Sequence, residues 1–412
     1  MKFDTVIIGG GLAGLTCGIR LQQKGKKCAI ISSGQSALHF SSGSFDLLNR
    51  LPDGTEVTSP IHAVEKLDKE HPYVKLGDKF SSYASEAKRF LEYCGVEVHG
   101  EAERNHLRIT PMGKLKPTWL TISDFLSSSF SAESIAEKKI LLVNLDGFLD
   151  FNTRFIADSL ERRNAKCHIV SINTPALERL RISPTEMRST NIARALDDEL
   201  NFEILVDKLQ RKADGFDVLA LPAVLGLSSD DLVKRLKERL SIPLWLIPTM
   251  PPSVPGIRIQ QQMHSSFEKL GGVYMLGDTV TQAKFEHNKV KSVSSINHGD
   301  IPFYAENFIL ASGSYFSNGL VAHPHQVIEP VFSSDIDFAP EREDWYDKSF
   351  LGKQNYMRFG VMTDDCFRIK IKGNVQQNLF AVGSILSGFN ALYEGCGAGV
   401  SMLSALYVAD NL

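Results

Sequence analysis

The chain has 412 residues, 43% of them hydrophobic and 23% charged, with a formal net charge of −3. A single core stops growing near ~250–300 residues, so about two domains are expected, and the composition is that of an ordinary globular protein, which excludes a disordered chain. The slight acidity argues against a nucleic-acid partner. Apolar stretches such as Ile140 to Leu145 and Val218 to Leu227 fall far short of the about 18 residues that a membrane span needs.

The first predicted element is a strand, Lys2-Phe3-Asp4-Thr5-Val6-Ile7-Ile8, which runs directly into Gly9-Gly10-Gly11-Leu12-Ala13-Gly14. A strand followed by G-x-G-x-x-G is the opening of a nucleotide-binding βαβ unit: Gly9 allows the tight turn, Gly11 lets backbone approach a phosphate, and Gly14 lets the helix pack closely on the strand. The predicted helix carries Leu12, Leu15 and Ile19 on one side and ends near Gly25, and Cys28-Ala29-Ile30-Ile31 supplies the second strand. A signal peptide is not expected, because Asp4 and the glycines occupy the place of its apolar core.

A dinucleotide site usually has Asp or Glu at the end of the second strand, about 20 residues past the glycines, to hold the adenosine ribose. That place is Ser32-Ser33-Gly34, and no carboxylate occurs between Asp4 and Asp46. FMN, which lacks the adenosine half, would not miss it. With FAD or NAD, a serine hydroxyl such as that of Ser33, or a backbone group, holds the ribose instead.

A serine- and glycine-rich loop follows, Ser41-Ser42-Gly43-Ser44, then a polar helical stretch from about Ala63 to Leu91. A second βα alternation begins at Lys139–Leu145, continues with a helix near Arg154 to Arg163, strands at Cys167–Val170 and Phe216–Leu221, a helix bearing Leu232, Leu236 and Leu240, and Pro243–Ile247. Pro251-Pro252-Ser253-Val254-Pro255-Gly256 reads as a hinge-like breaker. After it come a helix to Leu270, a strand and hairpin region from Gly271, and apolar strands at Phe308–Gly313 and Asn378–Ser384. The expected fold class is α/β, with a Rossmann-like domain built from both chain ends (residues 1–62 and 251–412) and an inserted α/β cap (residues 63–250).

The second informative stretch is Phe380-Ala381-Val382-Gly383-Ser384 with Glu394-Gly395-Cys396-Gly397-Ala398-Gly399. Glycines opening a helix leave bare amides with a positive dipole behind them, an arrangement suited to an electron-rich carbonyl such as the flavin C2 oxygen. The expected cofactor contacts are therefore Gly9, Gly11, Leu12, Ala13, Gly14, Ser33, Ser41, Ser42, Gly43, Gly313, Gly383, Ser384, Gly395, Cys396 and Gly397. His39 can donate to a flavin or substrate oxygen or serve structure alone. Arg258 can pair with a phosphate or lie on the surface. Asn191 and Arg194 share a helix face, which fits either a cap contact or a solvated surface. The six cysteines contain no C-x-x-C pair, so buried thiols are expected rather than disulfides, an iron–sulfur cluster or another metal site.

Taken together, the opening glycines, Ile309-Leu310-Ala311-Ser312-Gly313 and the terminal glycine helix resemble flavoprotein oxidoreductases of the fumarate reductase type. Gly34-Gln35-Ser36-Ala37-Leu38-His39-Phe40-Ser41-Ser42-Gly43-Ser44, Pro251–Arg258 and Gly395-Cys396-Gly397 are similar to a narrower family, the flavoprotein subunits of anaerobic glycerol-3-phosphate dehydrogenases. That resemblance implies FMN as cofactor, with FAD as the alternative. It also implies a larger FAD-containing partner subunit and an iron–sulfur subunit docked on the membrane. The substrate would be glycerol 3-phosphate, with electrons leaving for menaquinone and onward to fumarate or nitrate. The chain would be cytoplasmic, held at the inner face of the membrane through its partners. A relay subunit that binds no substrate, and a stand-alone FAD oxidoreductase acting on another small anion, remain open on the same residues.

Overall fold

The computed structural model describes residues 1–131 and 133–412. Strand β1 (Lys2–Ile8) is buried from Thr5 onward, as expected of a parallel strand covered on both faces. It leads into α1 (Leu12–Gln23) and β2 (Cys28–Ser32). After β3 (Ser44–Phe45) comes α2 (Phe80–Tyr93), and then the short strands β4 (Val98–His99), β5 (His106–Ile109), β6 (Leu115–Thr118), β7 (Leu120–Ile122) and β8 (Ser127–Ser128). These make two small sheets, β3-β7-β4 and β6-β5-β8.

Strands β9 (Lys139–Leu145), β10 (Lys166–Ile172), β11 (Val218–Pro222) and β12 (Leu244–Ile247) form a parallel sheet in the order β10-β9-β11-β12. Helices over Thr153–Glu161, Glu199–Lys212 and Asp231–Arg239 alternate with these strands in the chain. The chain then enters α3 (Val254–Lys269), β13 (Val273–Leu276), β14 (Val280–Glu286), β15 (Lys289–Ser295), β16 (Phe303–Leu310), β17 (Arg368–Ile371), β18 (Asn374–Ala381) and α4 (Gly397–Asp410).

The large sheet runs β13-β2-β1-β16, all parallel. The far edge of β16 is shared: its Phe303 and Tyr304 pair with antiparallel β15, while Phe308 to Leu310 pair with parallel β18. A strand from the first residues of the chain thus lies beside strands from the last third, and the fold is α/β with a Rossmann-like sheet assembled from both ends. The four-stranded sheet is the separate α/β unit between them.

Two elements sit differently from their sequence reading. The proline-rich stretch is a helix start: Ser253 caps α3 by accepting the Gly256 amide at 3.2 Å, and Pro255 occupies the first turn, where its missing N–H costs nothing. Helix α2, within the stretch expected as insertion, packs against α4, and Arg20 of α1 ties the three helices by binding Glu86 at 2.5 Å and Asp410 at 2.6 Å. No helix among the described residues is long and apolar enough to cross a membrane.

Candidate flavin-binding site

The glycine turn after β1 is held by the Gly9 amide donating to Ile31 O at 2.8 Å. A Cβ at Gly9 would meet Ala311 O at 2.2 Å, and one at Gly14 would meet Gly9 O at 1.9 Å. Only glycine lets β16 and the first turn of α1 close on this loop. At Gly11, by contrast, the nearest neighbour of an added Cβ is the Ser36 side chain at 3.6 Å, so its exposed edge is open to a ligand. No side chain caps α1, and the amides of Leu12, Ala13 and Gly14 start the helix with the positive end of its dipole.

The C-terminal glycines meet this helix. A Cβ on Gly383 would lie 2.7 Å from the Ala13 methyl and 3.4 Å from Ser401 Oγ of α4. Gly383 takes φ +79°, and its amide donates to Ser404 Oγ at 3.0 Å. At the ends of β16 and β18, Gly313 and Ser384 are neighbours, the Ser384 hydroxyl 3.7 Å from where a Gly313 Cβ would sit. Helix α4 has no side-chain cap either. Its Gly399 amide donates to Asp46 O at 3.0 Å, which leaves the Gly397 and Ala398 amides at the helix mouth and brings the segment after the serine-glycine loop alongside it. A Gly395 Cβ would overlap Asn49, whose side-chain amide is buried with both polar atoms unpartnered. Ser312 Oγ is likewise buried without a partner. Two bare helix N-termini, convergent glycines and unpaired buried polar atoms fit an anionic, carbonyl-bearing group such as a flavin.

Ser41, Ser42 and Gly43 lie against β7 and the start of α3. Gly43 N donates to Ser41 Oγ at 3.4 Å, Ser42 Oγ and Ser44 Oγ are 3.2 Å apart, and a Cβ on Gly43 would strike Ile122 at 2.8 Å. Ser44 pairs with Thr121, so β7 covers this loop. Ser33 is exposed at the rim. The half-buried His39 has its carbonyl taken by the Ser253 amide at 2.8 Å, and burial lowers its imidazole below the usual range, so the neutral form is favoured there.

Arg258 requires a correction. It is buried on α3, and its Nη1 donates to Leu225 O at 3.0 Å and Gly226 O at 2.6 Å. It fastens the helix to the loop after β11 rather than waiting for a phosphate. Asn191 and Arg194 belong to a solvated face, where Arg194 Nη1 donates to Asn191 Oδ1 at 3.2 Å. Cys396 turns its thiol inward, 4.0 Å from Glu394 Oε2, and burial beside that carboxylate pushes the thiol well up, while its amide donates to Ala391 O and its carbonyl accepts from Val400 N and Tyr73 OH, so the residue serves the loop's packing.

Sequence reasoning missed the support beneath the C-terminal loop. His71 and Glu394 are both buried, with Nε2 3.3 Å from Oε2, close enough for attraction though poorly aligned as a hydrogen bond. His71 Nδ1 accepts the Tyr73 amide at 3.1 Å, which places the ring proton on Nε2, toward the carboxylate. Burial lowers the imidazole, partly offset by Glu394. Glu394 also holds the loop through Oε1, which accepts the Asn390 amide at 2.9 Å. The one signal in the sequence was a glutamate directly before Gly395-Cys396-Gly397.

A family model described as an FAD binding domain matches residues 4–400. The B subunit of the anaerobic glycerol-3-phosphate dehydrogenase of Yersinia enterocolitica is 43% identical over 100% of this chain and 98% of its own length. That of Pectobacterium atrosepticum is 42% identical over 100% of this chain and 99% of its own. Among solved structures, 3-ketosteroid Δ1-dehydrogenase from Sterolibacterium denitrificans is similar with a TM-score of 0.45 and 8% identity, over 100% of this chain and 99% of that one. The cofactor is accordingly a flavin, and the chain belongs to the flavoprotein oxidoreductases with this FAD binding domain and, within them, to the family of anaerobic glycerol-3-phosphate dehydrogenase B subunits.

Proposed function

We propose that this chain is the FMN-holding subunit of a quinone-dependent anaerobic glycerol-3-phosphate dehydrogenase complex, and that sn-glycerol 3-phosphate is oxidised to dihydroxyacetone phosphate at its flavin. The observation that carries the reading is that Gly383 packs between Ala13 in the first turn of α1 and Ser401 of α4, two helices that both start without a side-chain cap, in a chain similar over its full length to proteins named as B subunits of that enzyme. A flavin bound there takes two electrons from an alcohol carbon and gives them up singly.

The rest is done by the chain's own groups. The amides of Gly11 to Gly14, at the uncapped start of α1, would hold the ligand phosphate. The Gly397 and Ala398 amides at the uncapped start of α4 would hold a ring carbonyl and favour negative charge on it. Ser41, Ser42 and Gly43, tied down beside β7 through Ser44, would shield a bound ring from water, and Gly313 with Ser384 would leave room for a flat ligand at the strand ends.

FMN is favoured over FAD by the end of β2. The sequence puts no carboxylate after β2, Asp278 beside Ser32 has its carboxylate taken by Ser295 and His298, Ser32 Oγ already donates to Gly34 O at 2.9 Å, and Tyr274 OH lies against the turn and donates to Gly10 O at 3.2 Å. FAD is the second reading, favoured by the match of residues 4–400 to an FAD binding domain. Acid extraction and chromatography of the bound flavin distinguishes the two. Partners of the complex would be a larger FAD-containing subunit and an iron–sulfur subunit that docks it at the inner face of the cytoplasmic membrane, with menaquinone, fumarate or nitrate further along.

The test is anaerobic mixing of the yellow, purified chain with sn-glycerol 3-phosphate. Bleaching of the visible flavin bands is the expected result. A flavin that stays oxidised with substrate, yet is reduced when the partner subunits are added, would assign this chain to electron relay alone.

A further inference from the structure

The small sheet β6-β5-β8 carries an unusual density of basic groups on one face. Arg108 of β5 lies opposite Lys116 of β6 and Ser127 of β8, and His106 lies opposite Thr118. Residues two apart on a strand share a face, so His106 and Arg108 stand together. His99 reaches the same face from β4, its Nε2 2.8 Å from Ser127 Oγ and its ring 4.9 Å from that of His106.

Arg108 is 9% exposed, its Nε is buried without a hydrogen-bond partner, and among the described residues it makes no ion pair. The carboxylate on this face, Asp46, is already engaged by Lys116 at 3.2 Å and by the Thr118 hydroxyl at 2.7 Å. A guanidinium does not shed its proton in a protein, and here its Nε is buried without an acceptor while, among the described residues, the Nη atoms remain free to take one. Such a group is retained where an anion arrives to complete it, and its planar fork matches a phosphate oxygen pair.

The face adjoins the candidate flavin site through hydrogen-bonded neighbours. His106 Nε2 is 2.7 Å from Thr121 Oγ1, Thr121 pairs with Ser44, and Ser44 Oγ is 3.2 Å from Ser42 Oγ.

We propose that Arg108, with Lys116, His99 and His106, is the seat of a phosphomonoester dianion, namely the phosphate of the three-carbon substrate. This rests on the reading above that the substrate is oxidised on this subunit. Arg108 supplies the bidentate contact, Lys116 a second charge that can swing between Asp46 and the ligand, and the imidazoles neutral N–H donors.

The test is thermal melting of the full chain with excess flavin, at constant chloride-balanced ionic strength, with sn-glycerol 3-phosphate, inorganic phosphate, glycerol or succinate added. The phosphate compounds should raise the melting temperature, whereas glycerol and succinate should not. Arg108→Gln should weaken the apparent affinity for glycerol 3-phosphate at least tenfold while melting, without ligand, at or above the wild-type temperature, because the variant loses an uncompensated charge. Lys116→Gln, at a half-exposed position, should weaken it several-fold. Bound flavin, read by visible absorbance, should be the same in all three proteins.

A ligand-free R108Q chain that melts well below wild type would make Arg108 a structural residue and overturn the proposal, as would a response to succinate in place of phosphate. If flavin binds and R108Q keeps wild-type affinity for glycerol 3-phosphate, this seat fails while the flavin reading stands. If no flavin binds and the R108Q loss persists, the flavin reading fails and the seat stands.

Discussion

A methyl group on Gly14 would come within 1.9 Å of Gly9 O, and neither backbone can yield without parting α1 from β1. Gly14→Ala should therefore cost about 2 kcal/mol or more, as overpacking does, and should release the flavin; urea unfolding and flavin absorbance check it. The buried His71–Glu394 pair predicts a different failure. His71→Ala removes the ring that packs beside Glu394 and accepts the Tyr73 amide, and should cost about 2 kcal/mol, again measured by urea unfolding. His106 gives a pH prediction: burial, reinforced by His99, lowers its imidazole from 6.5 to about 4. Between those values the unfolded chain binds the extra proton, so this group's contribution to stability is complete above pH 6.5 and is lost as pH falls toward 4. His106→Gln should flatten that part of the stability profile. Gly9, Gly11 and Gly14 were legible in the sequence because backbone sterics fix their spacing within six residues. His71 and Arg108 were not, because the groups that give them meaning come from remote strands and loops.

At the scale of elements, the βαβ opening, the four-stranded unit and both C-terminal strands could be read from apolar runs and their bounding glycines, and they lie where those patterns put them. Helix α2 could not be placed, since an amphipathic pattern says that one face is buried but not against what; Arg20, Glu86 and Asp410 supply the answer only in three dimensions. The proline-rich stretch misleads for a local reason: prolines that break a helix interior are compatible with its first turn. Arg258 belongs to this scale, because its guanidinium joins α3 to the loop after β11. Arg258→Met should leave two carbonyls without their donor and cost about 2 kcal/mol, while the flavin content of the folded protein and the KM for glycerol 3-phosphate stay near wild type. A large rise in KM with unchanged stability would return Arg258 to the substrate.

For the whole molecule, parallel β16 lies beside β1, which sets the turn after each strand at the same edge of the sheet and brings the two ends of the chain together there. The serine-glycine loop runs into β3, which pairs with β7 of the intervening segment, so backbone pairing ties this stretch into the small β3-β7-β4 sheet. The most direct test is a crystal structure of the chain loaded with its flavin. The account predicts the flavin phosphate against the Gly11–Gly14 amides and the ring carbonyl against Gly397 and Ala398. A flavin bound away from either helix start would contradict it.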